Sequence, residues 1–229
     1  IFIDPHPDPV LSFKERERLF NLSRSQWSDY NEQLLSKGGG VYSRSSKHIE
    51  LSEQARKVLG ISQKTLSPNQ LIQEILKAPV DLLWNGGIGT YVKSGVEKNS
   101  DVGDFANNLC RVNADQLRCR VIAEGGNLGL TQLARIEYAQ RGGFINTDFV
   151  DNSAGVDCSD HEVNIKIGFE QVIRKGLLTT EQRNEFLESM TDDVSALVLN
   201  HNFEQNVGLS LAQKSMRRHV DSYLYFIET

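Results

Sequence analysis

Residues 80–146 repeat one pattern, in which a short apolar run ends in a turn rich in glycine or polar residues. The apolar runs cover residues 80–84, 121–123 and 144–146, and residues 131–141 have the spacing of an amphipathic helix. Short strands that alternate with helices are typical of an α/β layer with a parallel sheet. In such sheets ligands bind beyond the carboxyl ends of the strands, where this chain places glycines and asparagines.

The rest of the chain is predicted to flank and extend this sheet with helices. After Gly155 the apolar residues keep helical spacing almost to the last residue. We therefore predict an α/β fold with a partial Rossmann-like parallel sheet, flanking helices and a C-terminal helical segment. The predicted domains are an incomplete Rossmann-like dinucleotide-binding domain over residues 1–175 and a helical segment over residues 176–229.

Local residue patterns predict several helix boundaries in the middle and later parts of the chain. Ser67 directly before Pro68 is typical of an N-cap followed by the first helical residue. Gly176 is predicted to end the long helix that precedes it. Thr179 or Thr180 is then predicted to cap the next helix, because threonine side chains accept hydrogen bonds from free backbone N–H groups.

The first 20 residues predict a strand end followed by a short helix. Residues 1–3 are apolar and lead into a proline-rich turn, which cannot pair regularly in a sheet. Ser12 is predicted to cap a helix over residues 13–20, and Glu15 is predicted to complete a capping box.

Composition excludes some classes of protein. The chain has 229 residues, of which 39% are hydrophobic and 24% charged, so it can bury a core and is not predicted to be disordered. Its formal net charge of -5 argues against non-specific binding to nucleic acid, which depends on neutralising phosphates. No apolar run approaches the roughly 20 residues that span a bilayer, so no membrane partner is predicted.

Cysteine usage and the first residues indicate the setting of the chain. The three cysteines have no C-x-x-C spacing, so we expect neither a disulfide framework nor a zinc ribbon, and we expect a cytoplasmic location. The sequence starts at Ile1 without an initiator methionine or a signal-peptide pattern, so we expect it to be a segment of a longer protein.

Two glycine-rich turns are candidate ligand contacts. Gly86 and Gly87 follow the first predicted strand, where glycine lets a ligand approach the backbone closely. The spacing matches neither G-x-G-x-x-G nor a P-loop, and a tight structural turn is the alternative. Residues 124–127 form a similar turn, in which the Asn127 carboxamide suits a ribose hydroxyl or another amide, whereas a simple entry to a helix is the alternative.

Residues 148–161 combine polar groups with a turn of small residues that opens a helix. Ser159 is predicted to lie in the first helical turn, where free N–H groups and its hydroxyl could bind a carboxylate. The alternative is that Ser159 caps its own helix. Cys158 and His161 have C-x2-H spacing, but no second pair lies at zinc spacing and nothing nearby would orient a nucleophilic pair, so we predict neither a metal site nor catalysis there.

Three long blocks of this sequence resemble the large bacterial NAD-specific glutamate dehydrogenases. The blocks are VDLLWNGGIGTYVKS, AEGGNLGLTQLARIEYA and INTDFVDNSAGVDCSDHEVNIKI. The resemblance extends from IFIDPHPDP at the start, through RSQWSDYN and SKGGGVYSR, and is weaker after NIKI. Several matched blocks in the same order are far more specific than any single glycine motif.

The resemblance implies roles for particular residues. The shorter hexameric glutamate dehydrogenases share a fainter similarity around residues 124–127 and 152–159. By that similarity Asn127 lies beside the nicotinamide ribose, and Asn152 lies near the nicotinamide end of the cofactor. Ser159 would bind the side-chain carboxylate of glutamate, and Val156 would line the same pocket.

The resemblance also implies the reaction and the partners. It implies an NAD-dependent oxidation of L-glutamate to 2-oxoglutarate and ammonia by a homo-oligomer. The catalytic Lys and Asp of the family, and its glycine-rich pyrophosphate loop, would lie before Ile1, so no catalytic residue is assigned within this chain. The alternative is a non-catalytic module with a nucleotide-binding-like fold, used for regulation or assembly.

Overall fold

The structure is a computed structural model and describes residues 1–228. The helices are α1 (Pro9–Asn21), α2 (Glu53–Leu59), α3 (Pro68–Leu76), α4 (Asn99–Val102), α5 (Gln132–Gln140), α6 (Asp148–Asp151), α7 (Ser153–Arg174), α8 (Thr180–Ser189), α9 (Thr191–Ser215) and α10 (Val220–Glu228). The strands are β1 (Phe2–Ile3), β2 (Gly40–Val41), β3 (Ile49–Glu50), β4 (Thr65–Leu66), β5 (Leu82–Asn85), β6 (Val92–Lys93), β7 (Val112–Asn113), β8 (Val121–Glu124) and β9 (Phe144–Ile145).

The chain forms two compact units that differ from the domains suggested by the sequence. Unit 1 contains Ile1–Trp84, Ile88–Ile122 and Leu128–Ile145. Unit 2 contains the two short segments Asn85–Gly87 and Ala123–Asn127, each of which includes the end of a strand, together with the chain from Asn146 onward. The functional division at residue 175 stays a prediction.

The predicted parallel sheet is present. Its strand order is β5-β8-β9, and β8 pairs with β9 in parallel, with Val121 opposite Phe144. Hydrogen bonds from Val121 N to Asp81 O and from Gly125 N to Asn85 O advance in the same sense along β5 and β8, as in a parallel pair. The α/β prediction is therefore confirmed, with both glycine-rich turns following the carboxyl ends of their strands.

Local capping explains why the helices beside the sheet begin where they do. Ser67 caps α3, as predicted, and it also forms a complete capping box with Gln70. Leu71 of that helix is fully buried. Thr131 caps α5 by accepting a hydrogen bond from Ala134 N at 3.1 Å. The buried face of α5 and Ile122 of the sheet belong to one apolar cluster of unit 1. That cluster also contains Val92, Val112, Ala114, Cys119, Leu130, Ala134 and Tyr138.

The prediction for the first helix was wrong at its start. Helix α1 begins at Pro9, and its N-cap is Asp8, whose carboxylate accepts hydrogen bonds from Val10 N and Leu11 N. Asp8 accepts hydrogen bonds from free N–H groups of the first turn, and the ring of Pro9 fixes φ at a helical value. The helix therefore starts about one turn earlier than a helix capped by Ser12 would. Ser12 is a buried residue inside the helix.

Glu15 does not complete a capping box but connects α1 to the following loop. Its carboxylate accepts hydrogen bonds from the Arg18 guanidinium and from Asn31 N. These bonds, the one from Arg18 first, lower the pKa of Glu15 from 4.5 to about 2. A carboxyl whose pKa is lowered on folding stabilises the protein above its unfolded pKa, and this contribution disappears as the pH falls through the folded pKa.

We therefore expect Glu15→Gln to reduce the free energy of unfolding near neutral pH by about 1 kcal/mol, because Arg18 is half exposed and solvent screens the pair. The difference from the wild type should shrink between about pH 4.5 and pH 2, where the wild-type carboxylate takes up its proton. Urea unfolding at a series of pH values measures it. Glu17→Gln, an exposed change on the same helix, is the control, and an equal loss in both variants would contradict the assignment.

The end of α7 and the start of α8 agree with the predicted boundaries, whereas the start of α7 does not. Helix α7 ends at Arg174, and Gly176 adopts the left-handed conformation with φ of 68°, as predicted. Thr179, rather than Thr180, caps α8. Helix α7 begins at Ser153 instead of after Gly155, because the side chain of Asn152 accepts a hydrogen bond from Gly155 N and makes this glycine part of the first turn.

None of the cysteines is in a disulfide, and their surroundings differ. Cys110 and Cys119 are buried, and burial raises the pKa of each thiol. Cys158 on α7 is only partly buried. Over residues 1–228, no helix is both long and apolar enough to cross a membrane.

Candidate functional site

The two glycine-rich turns touch each other through their backbones. Gly125 N donates a hydrogen bond to Asn85 O at 2.9 Å. A Cβ atom on Gly126 would lie 2.1 Å from Gly87 O, a separation at which the backbone would have to move. The close approach of the two turns therefore explains the glycine at position 126, a structural reason that the sequence analysis did not consider.

Gly86 and Gly87 are exposed, in contrast to the tightly packed Gly126. A Cβ atom on Gly87 would meet nothing within 4 Å. Because protein packing does not require glycine at this position, its open backbone remains available to a ligand. This observation is compatible with the cofactor role predicted for Gly86 and Gly87.

The structure brings together the two asparagines that the sequence analysis singled out. Asn152 Nδ2 donates a hydrogen bond to Asn127 Oδ1 at 2.7 Å. Asn152 is 8% exposed, and its Oδ1 accepts the capping bond from Gly155 N at 3.2 Å. Asn127 is exposed, and its own amide Nδ2 remains available for donation to a ligand. The buried Asn152 carboxamide therefore holds the exposed Asn127 carboxamide in position.

Val156 and Ser159 extend this site along α7. They follow Asn152 by four and seven residues, a spacing that places all three on one side of the helix. Val156 is 39% exposed, and Ser159 is exposed. Ser159 lies in the second turn, so the expectation that it occupies the first turn was wrong, and the alternative that it caps the helix is excluded as well.

A hydrogen-bond network holds α6, the short helix that precedes α7. The Asp151 carboxylate accepts bonds from Glu124 N at 3.1 Å and from Asn146 Nδ2 at 3.0 Å. Asn202 of α9 donates to Val150 O at 2.6 Å. The sequence analysis did not identify Asn202, because it lies 52 residues from Val150 and no local pattern connects them.

The candidate residues supply groups that bind and orient a ligand. Gly86 and Gly87 offer backbone, Asn127 and Asn152 offer carboxamides, and a hydroxyl and an apolar side chain follow on α7. None of these side chains ionises near neutral pH, so none can act as a general acid or base there. The arrangement suits a nucleoside or amide on the asparagine side and an acceptor such as a carboxylate at the serine.

Comparisons with known proteins identify the family of the chain. A family profile described as "Bacterial NAD-glutamate dehydrogenase, catalytic domain" matches residues 1–212. Curated proteins named NAD-specific glutamate dehydrogenase are 55% identical over 223 residues in Pseudomonas aeruginosa, 53% over 227 residues in Halomonas elongata and 56% over 212 residues in Mycobacterium tuberculosis.

These alignments cover 97%, 99% and 90% of this chain, respectively, but only 14%, 14% and 13% of the three relatives. The chain thus spans about one seventh of the length of the curated relatives it matches. The resemblance found in the sequence is confirmed over nearly the whole chain, and the chain belongs to the bacterial NAD-glutamate dehydrogenase family.

Proposed function

We propose that this chain is a segment of an NAD-dependent glutamate dehydrogenase. The complete enzyme converts L-glutamate, NAD⁺ and water into 2-oxoglutarate, ammonium, NADH and a proton. The proposed partners are L-glutamate, 2-oxoglutarate, the rest of the full-length chain and further copies of the enzyme in a cytoplasmic homo-oligomer. The names of the relatives support the reaction.

The observation that carries the proposal is the hydrogen bond between Asn127 and Asn152. It places an exposed carboxamide at the end of β8, beside the start of the helix that bears Val156 and Ser159. Ligands of parallel α/β sheets bind at this end of the strands. One continuous surface of unit 2 therefore offers polar groups for a nucleotide and, further along α7, a hydroxyl for a carboxylate.

The residues present fit the nicotinamide end of NAD. The open backbone at Gly87 leaves room, and Asn127 Nδ2 can donate to a ribose hydroxyl while Asn152 holds its carboxamide in place. Asn152 would lie near the nicotinamide. When bound, NAD⁺ supplies the hydride acceptor, and the protein contributes orientation and a surface that excludes water.

The substrate would bind along α7. The Ser159 hydroxyl would donate to the side-chain carboxylate of glutamate, and Val156 would pack against the aliphatic part of the substrate. Proton transfer needs groups that this surface does not supply, so we assign no catalytic residue within the chain. The Lys and Asp that the resemblance implies would come from another part of the full-length protein, and the 229-residue chain alone would not turn over glutamate.

The test compares the full-length protein with the 229-residue chain. The full-length protein is expected to form NADH only when both L-glutamate and NAD⁺ are present, and to favour NAD⁺ over NADP⁺. D-glutamate and L-aspartate are the substrate controls. Absence of NADH formation by a folded full-length protein would contradict the proposal.

Calorimetry should show weak or no binding of NAD to the 229-residue chain, because phosphate recognition by dinucleotide-binding folds depends largely on a glycine-rich loop that this chain lacks. Circular dichroism first establishes that the isolated chain is folded. Micromolar binding of NAD to it would show that the pyrophosphate site lies within residues 1–229.

A further inference from the structure

A cluster of two histidines and one carboxylate lies on unit 2, on a different face of α7 from the residues assigned to the substrate. Asp157 and His161 belong to α7, and His201 belongs to α9. Each offers one ligand atom, and these atoms all lie within 4.8 Å of one another. We infer that these three side chains form a zinc site that joins α7 to α9.

The distances fit a tetrahedral metal. His201 Nδ1 lies 3.0 Å from Asp157 Oδ2, and His161 Nδ1 lies 3.2 Å from Asp157 Oδ1. Zinc bonds of about 2.0–2.1 Å in a tetrahedron place neighbouring ligand atoms about 3.3 Å apart. The two distances involve different oxygens of Asp157, and His161 Nδ1 also lies 2.8 Å from Asp157 O. The His161 ring therefore has to turn for one carboxylate oxygen and both nitrogens, which lie within 4.8 Å of one another, to reach a single ion.

The positions on the helices hold this spacing. Asp157 and His161 are four residues apart, so they lie on the same face of α7. The rings of His161 and His201 have centroids 5.4 Å apart and planes inclined by 33°, which leaves both edges directed at the same carboxylate. All three side chains are partly buried, with exposed fractions of 19% for Asp157, 22% for His161 and 38% for His201.

The donor set selects the metal. Two imidazole nitrogens and one carboxylate oxygen suit Zn²⁺ far better than Mg²⁺ or Ca²⁺, which prefer sites made only of oxygen. A neutral imidazole with its proton on Nε2 leaves the Nδ1 lone pair free for the metal, so each histidine can bind by changing tautomer. Three protein ligands leave the fourth tetrahedral position to water, and the ion would tie the two helices together.

This face of α7 differs from the proposed substrate face. Asp157 lies about 100° around the helix from Val156, and His161 lies about 160° from Ser159. The inference of a zinc site therefore does not depend on whether Val156 and Ser159 bind the substrate. Spacing along the sequence could not identify it, because the C-x2-H pattern suggested Cys158 as the partner of His161, whereas the structure places Asp157 and His201 there.

The test measures zinc bound to the full-length protein after removal of metals with a chelator and addition of Zn²⁺. Elemental analysis after desalting is expected to find one Zn²⁺ more per chain in the wild type than in Asp157→Asn or His201→Asn. Calorimetry should show the affinity of this site falling in each variant by at least the roughly 10- to 100-fold that loss of an outer-shell partner costs. His219→Asn, a change at another histidine of unit 2, should keep the wild-type stoichiometry.

A second variant keeps the inference testable if the asparagine variants fold poorly. His201→Cys replaces a nitrogen ligand with a thiolate and should retain the bound metal. With Co²⁺ in place of Zn²⁺, this variant should gain a thiolate-to-cobalt absorption band that the wild type lacks. Equal zinc content in the wild type and both asparagine variants, or no new band in folded His201→Cys, would mean that the cluster is only a hydrogen-bonded group.

Discussion

Gly126→Ala is expected to destabilise the protein at the upper end of the about 1–3 kcal/mol that overpacking typically costs. The added Cβ would lie 2.1 Å from Gly87 O, and a backbone carbonyl cannot turn away as a side chain could. Either the turns separate, which breaks the hydrogen bond from Gly125 N to Asn85 O, or the end of β8 shifts. Chemical denaturation followed by circular dichroism measures the loss.

Gly87→Ala is the matched control for this prediction. A Cβ at Gly87 would meet no atom within 4 Å, so stability should stay within about 0.5 kcal/mol of the wild type. If NAD lies over this turn, the same variant should raise the KM for NAD in the full-length enzyme. Equal stability of the Gly126→Ala and wild-type proteins would show that the two turns are not held together as described.

Ser159→Ala is expected to lower kcat/KM for glutamate by about 10- to 150-fold in the full-length enzyme. A hydrogen bond to a charged group contributes about 1.5–3 kcal/mol, and each 1.4 kcal/mol of lost transition-state stabilisation lowers kcat/KM tenfold. The KM for NAD should remain nearly unchanged, because the hydroxyl is assigned to the substrate. Steady-state kinetics with each substrate varied in turn measures both values.

The position of Ser159 in α7 separates a loss of substrate binding from a loss of stability. Ser159 is exposed and inside α7, while the cap is Asn152, so removal of the hydroxyl should not destabilise the helix. Alanine is the better helix former, and the melting temperature should be equal or slightly higher. Ser195→Ala, an exposed serine inside α9, controls for the substitution itself. Wild-type kinetics for glutamate in Ser159→Ala would exclude the serine as a ligand.

The features that the sequence predicted correctly depend on neighbouring residues. Ser67 caps its helix through an N–H group three residues away, and Gly176 ends a helix through its own backbone dihedral angle. The three strands of the sheet were predicted because each is a short apolar run followed by a turn. In all of these, the physical cause lies within about one helical turn of the residue, so the pattern is visible along the chain.

The features that the sequence did not predict depend on competition or on distance. Ser12 is a good cap, but Asp8 before Pro9 is a better one and starts the helix earlier. Glycine usually indicates a turn, but Asn152 caps α7 by accepting a hydrogen bond from Gly155 N, so Gly155 lies in the first helical turn. His201 meets Asp157 only because two long helices pack side by side, and no spacing rule connects residues that far apart in the chain.

The difference between the three cysteines gives this chain a labelling site. Thiol reagents react with thiolates, and the raised pKa and burial of Cys110 and Cys119 protect those side chains. Cys158 is the partly exposed one, and it directly precedes Ser159 on α7. A maleimide dye should therefore attach to α7 between its two faces, where its fluorescence would report on either face without any engineered cysteine.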